Sequence, residues 1–132
     1  MAEISSWIAV VDDDLSVLKA LSRSLRLRGM QTKTYESAQE FIASLPDGLP
    51  ECLVVDLQMP EMTGLELHQY LKRSGIQIPT IMITAHGEAR VRERPESAGI
   101  IAILSKPLRN ATLFAAIDDA NRSKKVHDHG PS

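Results

Sequence analysis

The sequence is poor in cysteine, in long apolar runs and in net charge, and each shortage closes off a class of protein. Its one cysteine forbids an internal disulfide, and Cys52 stands in the apolar run Cys52-Leu53-Val54-Val55, where a buried, inert thiol is expected. Secretion therefore has no support. No apolar stretch nears the roughly 20 residues that a membrane-crossing helix needs, and the first ten residues lack the basic start and long apolar core of a signal peptide. The expectation is a cytoplasmic protein with no membrane partner. Lys plus Arg number 15 against 17 Asp plus Glu, so no broad basic surface and no direct nucleic-acid partner are expected. Internal repeats and low-complexity tracts are missing as well. What 132 residues do allow is one domain, because a chain of this size buries about 68–70% of its unfolded surface and needs no metal or disulfide staple.

Apolar runs of strand length recur along the chain: Trp7 to Val11, Met30 to Tyr35, Cys52 to Val55, Thr80 to Ile83 and Ile100 to Leu104. Several are nearly continuous in Val and Ile, as in strands covered on both faces. Amphipathic segments lie between them. Val17, Leu18, Leu21 and Leu25 recur at helical spacing, and Gly29 is placed to end that helix. Ser37-Ala38-Gln39-Glu40 and Thr63-Gly64-Leu65-Glu66 match the capping box, so helices should begin near Ala38 and Gly64 and stop at Pro46-Asp47-Gly48 and Ser74-Gly75. A last helix could be capped by Asn110, with Leu113, Ala116, Ile117 and Ala120 on its buried face. Such alternation predicts an α/β fold, an open parallel sheet with helices on both faces.

Ligands of such sheets bind beyond the carboxyl ends of the strands. There the first strand runs into Asp12-Asp13-Asp14, the third ends at Asp56, the fourth at Thr84, and the fifth is followed by Ser105-Lys106-Pro107. Gathered carboxylates repel, by about 4 kcal/mol for two unit charges roughly 4 Å apart at an effective dielectric of about 20. A cation should compensate. A hard oxygen site with few carboxylates suits Mg²⁺, which commonly holds phosphate oxygens at the same time. Lys106 offers a compact positive charge and the Thr84 hydroxyl a hydrogen-bond donor, so the set fits phosphoryl chemistry with one carboxylate as nucleophile. Taken singly, each residue has a plainer reading: an Asp after a strand caps the next helix, a Thr packs its methyl group, a Lys-Pro step makes a turn. Their joint placement on one sheet edge favours the site.

At these residues the sequence resembles the receiver domain of two-component response regulators, in the single-domain, nitrogen-fixation-regulator-like branch. The matching segments are Val10-Val11-Asp12-Asp13-Asp14, Leu53-Val54-Val55-Asp56 with Met59-Pro60-Glu61-Met62-Thr63-Gly64-Leu65-Glu66-Leu67, Ile83-Thr84-Ala85-His86-Gly87, and Leu104-Ser105-Lys106-Pro107. The resemblance implies a flavodoxin-like, five-stranded sheet of order 2-1-3-4-5. It implies that Asp56 is the phosphoacceptor, charged by a histidine kinase or a histidine phosphotransfer protein, and that Asp12, Asp13, Asp56 and the backbone carbonyl of Gln58 hold Mg²⁺. Thr84 and Lys106 would bind the phosphoryl oxygens and signal their presence. Small Ala85 would leave the approach open, Gln58 and His86 would tune hydrolysis, and a cis peptide at Lys106-Pro107 would aim the ammonium into the site. The receiver is expected over 1–122 with a flexible polar tail over 123–132. Output is then expected in trans, through a downstream protein target, from a monomer or a phosphorylation-dependent dimer.

Two segments depart from the family pattern. Between Glu88 and Gly99 there is little apolar surface beyond Val91, and Pro95 costs about 3 kcal/mol inside a helix while pushing Arg94 off helical angles. A broken, late or largely unfolded fourth helix is expected, reduced at the extreme to a single turn starting at Pro95, with a kinked but ordered helix as the alternative. Ile103 stands where relatives carry a Phe or Tyr that swings as the switch, so the expected response is ordering or release of the fourth segment instead of a ring flip. His68 reads as a residue of a solvated helix face, and His127-Asp128-His129 lacks a third fixed ligand for a metal. Two other functions compete. A haloacid-dehalogenase-type phosphatase would use Asp12-x-Asp14 but needs an acidic pair at a late strand end, whereas Asp118-Asp119 fall inside the last helix. A receiver-like binding module that is never phosphorylated is the other.

Overall fold

The alternating pattern becomes a five-stranded parallel sheet in the computed structural model, which describes residues 6–85 and 88–129, the side chains of 88, 89 and 123–129 excepted. In chain order the elements are β1 (Trp7–Val11), α1 (Leu15–Leu27), β2 (Gln31–Tyr35), α2 (Ala38–Ser44), β3 (Cys52–Asp56), α3 (Gly64–Arg73), β4 (Thr80–Thr84), α4 (Glu88–Glu93), β5 (Ala102–Ser105) and α5 (Asn110–His129). Strand order is β2-β1-β3-β4-β5, every pairing is parallel, and the flavodoxin-like expectation holds. No helix among the described residues is long and apolar enough to cross a membrane.

The helix starts follow their caps. Ser37 Oγ accepts the Glu40 N–H at 3.1 Å, and Thr63 and Glu66 close a reciprocal capping box, so α2 and α3 begin where those residues dictate. Asp14 caps α1 by accepting the Ser16 N–H at 2.9 Å. Gly29 takes a φ of 88° just past the end of α1, a conformation that favours glycine. Asn110 is the first helical residue of α5 and not its cap: the Leu113 N–H reaches the Arg109 carbonyl at 3.0 Å, which puts Arg109 in the capping position. The helical backbone of α5 continues to His129, past the boundary expected at 122.

Period-two alternation splits the strand residues between two cores. Trp7, Ala9, Val11, Leu53, Val55, Met82 and Ile103 face α2, α3 and α4, where Phe41, Leu67, Leu71 and Val91 meet them. Ile8, Val10, Val54, Ile81 and Ile83 face the other way, onto Leu18, Leu21 and Leu25 of α1 and Leu113 and Ile117 of α5. Cys52 is fully buried, and burial pushes its thiol up to about 12, as an inert core residue requires.

The fourth crossover is broken as expected, but in a particular order. Helix comes first, over Glu88–Glu93; Arg94 is extended at φ −79° and ψ 135°; a 3-10 turn then starts at Pro95 and runs to Ser97. The segment is neither late nor largely unfolded. His68 corrects the sequence reading. It is 6% exposed, because α3 turns that residue toward the 95–99 stretch instead of toward solvent, and its Nε2 lies 2.9 Å from the Ala98 carbonyl.

Candidate functional site

Register brings the polar strand ends together. Val11 pairs with Val55, Asp56 with Ile83, and Thr84 with Ser105, so the residues after β1 and at the ends of β3, β4 and β5 share one edge. Asp12, Asp13 and Asp56 each present a carboxylate oxygen there, all within 4.8 Å of one another. Lys106 Nζ sits 3.3 Å from Asp56 Oδ1 and 3.7 Å from Asp12 Oδ2. Its own position is fixed through the backbone, since the Lys106 N–H donates to the Thr84 carbonyl at 2.9 Å and the Lys106–Pro107 peptide is cis.

Electrostatics at this edge are unbalanced. Burial pushes the Asp56 carboxyl up to about 6, with the neighbouring Asp12 charge adding to the rise and Lys106 working against it. Burial raises Asp12 as well, although the Asp14 N–H donates to its Oδ1 at 2.9 Å. For Lys106, partial burial opposes the charged form, but the Asp12 and Asp56 carboxylates outweigh it and hold the ammonium above its ordinary pKa. One ammonium against three carboxylates leaves excess negative charge. Asp12 Oδ2 is buried with no hydrogen-bond partner. An orphaned acceptor beside two further carboxylates is the donor set a hard divalent cation takes, so these residues fit a bound cation. Asp14 does not join the cluster: its carboxylate takes the Ser16 hydroxyl at 2.7 Å and the Ser16 N–H, which hold it below the usual carboxylate range.

The remaining sequence candidates are distributed around this centre. Thr84 is fully buried at the end of β4, Ala85 and Gln58 are exposed beside it and after β3, and Ile103 is buried in the same core as Val91. His86 lies outside the described residues. Asp118 and Asp119 are elsewhere, paired with Arg28 and Arg122, so the phosphatase's late acidic pair is not at the strand ends. Sequence reasoning missed why Gly64 matters. A Cβ there would lie 2.6 Å from the Asp56 carbonyl oxygen, so only glycine lets α3 start against the end of β3. The motif residue was visible; the contact that demands it was not.

A model of the response regulator receiver domain matches residues 8–118. The chain belongs to that family. Among curated relatives, it is 37% identical over 117 residues to response regulator protein TodT of Pseudomonas putida, a match covering 89% of this receiver and 52% of TodT. It is 36% identical to transcriptional regulatory protein FixJ of Rhizobium meliloti, with 86% and 56% covered. The receiver thus spans about half the length of these relatives. Among solved structures, the crystal structure of FixJ-N superposes with a TM-score of 0.81 at 34% identity, covering 91% of this chain and 96% of that one.

Proposed function

We propose that this receiver takes a phosphoryl group on Asp56 from the phosphohistidine of a histidine kinase or histidine phosphotransfer protein. The observation that carries the reading is the placement of the buried Asp56 carboxylate 3.3 Å from the Lys106 ammonium, with carboxylate oxygens of Asp12 and Asp13 within 4.8 Å. An Asp56 carboxylate oxygen attacks phosphorus in line, the phosphorus–nitrogen bond to the donor imidazole breaks, and the imidazole leaves carrying the electron pair of that bond. Lys106 shields the oxygens that gain charge in the transition state, and the Thr84 hydroxyl donates to one of them in the acyl phosphate. Mg²⁺ held by Asp12, Asp13, Asp56 and the Gln58 carbonyl supplies, when bound, the charge neutralisation that lets a phosphoryl group approach three carboxylates. Ala85 keeps the approach open, and Gln58 with His86 sets how fast water removes the group.

The switch follows from Thr84 drawing toward the phosphoryl oxygens and altering the α4–β5 face, where aliphatic Ile103 moves without a ring flip. Partners on this reading are the phosphodonor protein and a protein target that reads that face. Incubating the chain with acetyl phosphate and Mg²⁺ and weighing the intact protein tests it. A gain of one phosphoryl group that maps to Asp56 supports the receiver chemistry; a group on Asp12 points to the phosphatase reading. No gain, together with a partner affinity unchanged by Asp56→Asn, points to a binding module.

A further inference from the structure

The fourth crossover is finished by another helix. Three side chains of α3, His68, Gln69 and Lys72, reach backbone carbonyls of the 95–99 stretch: Gln69 Nε2 donates to Glu96 O at 3.0 Å, while His68 Nε2 and Lys72 Nζ meet Ala98 O at 2.9 and 3.2 Å. A carbonyl only accepts, so His68 carries its proton on Nε2, and its two partners occupy both lone pairs of Ala98 O. At 3.6 residues per turn, residues i, i+1 and i+4 fall within an arc of about 100°. Gly99 fits beneath the imidazole, where an added Cβ would come 3.6 Å from Nε2. α3 itself is tied to the end of β3, for the Gly64 N–H donates to the Leu57 carbonyl at 2.9 Å. The preceding piece has a different anchor. α4 buries Val91 and reaches β5, where Arg92 Nη2 donates to the Ile103 carbonyl at 3.4 Å, and it is joined to the turn through extended Arg94 and the Ser97 hydroxyl, which lies 2.8 Å from the Arg94 carbonyl and 3.2 Å from that of Arg92.

We propose that His68, Gln69 and Lys72 form a clamp that fixes residues 95–99 to α3, so that the crossover responds in two parts: the α4 helix moves with β5, to which Arg92 bonds it, the turn stays with α3 and the end of β3, and Arg94 is the hinge. The surface that answers the site is then residues 90–93, with exposed Arg90 and with Arg92 reaching the Ile103 carbonyl, while the face of the 95–99 turn keeps its shape. This partition deepens the receiver reading, since Thr84 is the residue that would drive α4.

Hydrogen exchange resolved to single amides, on the full chain with and without acetyl phosphate and Mg²⁺, tests the clamp. The Ser97, Ala98 and Ile100 N–H groups are the reporters, each bonded within the turn to Arg94, Pro95 and Ser97 carbonyls. In the untreated protein they are expected to exchange at least tenfold more slowly than the amides of α4. The double variant Gln69→Ala/Lys72→Ala is expected to lose at least tenfold of that protection, and Lys72→Arg, which keeps a donor, to retain it. Under phosphodonor the change in rate stops at Arg94 in the unsubstituted protein and spreads into 97–100 in the double variant. Equal exchange in the two halves, or full protection in the double variant, overturns the clamp. Because those two readouts need no phosphate, failure of the receiver reading would show separately, as no gain in intact mass.

Discussion

The connections after β3 and β4 leave neighbouring strands and meet on one side of the sheet, yet they are held by different means. After β3 the backbone does the holding: the Gly64 N–H bonds to the Leu57 carbonyl, a capping box closes, and α3 starts in contact with the end of the strand that carries Asp56. After β4 the chain has too little apolar surface and a proline in the way, and side chains borrowed from α3 complete it. A backbone-held connection tolerates nothing larger than hydrogen at its tightest point. One held by side chains can be loosened a bond at a time, which is the property a responsive segment needs.

The largest contrast lies between two glycines. Gly64→Ala puts a Cβ 2.6 Å from a backbone oxygen and is expected to cost about 2–3 kcal/mol of stability in urea titration. Gly99→Ala has room, its nearest neighbour being 3.6 Å away, and carries only the strain of a φ of 93°, about 1–2 kcal/mol. Equal losses would break the contrast.

Two buried groups, Asp56 at the strand end and His68 where α3 meets the β4 connection, answer acid with opposite signs. Asp56 is raised to about 6 in the folded chain, chiefly by burial, so the native state holds a proton that the unfolded state releases near pH 4. Its contribution is full below the unfolded value and is lost as pH rises through about 6. Asp56→Asn removes that loss, and in chelator at pH 7 it should stabilise the chain by on the order of 1–3 kcal/mol, less whatever the Lys106 pairing returns. Added Mg²⁺ should then stabilise the unsubstituted chain more than the variant. His68 is lowered, chiefly by burial, with Lys72 adding to the fall and the Ala98 carbonyl opposing it. Its stabilisation is present above the ordinary histidine pKa and is lost as pH falls through the lower folded value. Thermal midpoints measured from pH 8 to 5 should fall more steeply for the unsubstituted chain than for His68→Gln. A smaller effect closes the series: Lys72→Ala, at an exposed position, should change global stability by no more than about 0.5 kcal/mol while accelerating exchange in the turn.

Much of this was legible in the sequence, for stated reasons. Strands and capped helices follow from local chemistry: apolar runs of strand length, Ser37 and Thr63 with a Glu three residues on, glycine after α1. The site was legible because strand ends in a parallel sheet converge, which turns Asp12, Asp13, Asp56, Thr84 and Lys106 into neighbours. Pro95 announced a break but not which half would stay helical. His68 was misread because its polar side chain outweighed its spacing: it lies three residues after Leu65 and three before Leu71, on the buried side of α3, and its partner, the Ala98 carbonyl, stands thirty residues on in the irregular segment that pattern reading describes least well. Gly64 was visible as part of a motif, but its necessity lies in a contact with the Asp56 carbonyl oxygen that only the fold creates.

On the receiver reading, the edge built from the ends of β1, β3, β4 and β5 puts a phosphoryl group on Asp56. Intact mass after exposure to acetyl phosphate and Mg²⁺, followed by peptide mapping, tests it most directly. One added phosphoryl group per chain is expected, located on Asp56, dependent on the cation and lost in Asp56→Asn. An unchanged mass under those conditions, or an added group that persists in Asp56→Asn, would contradict it.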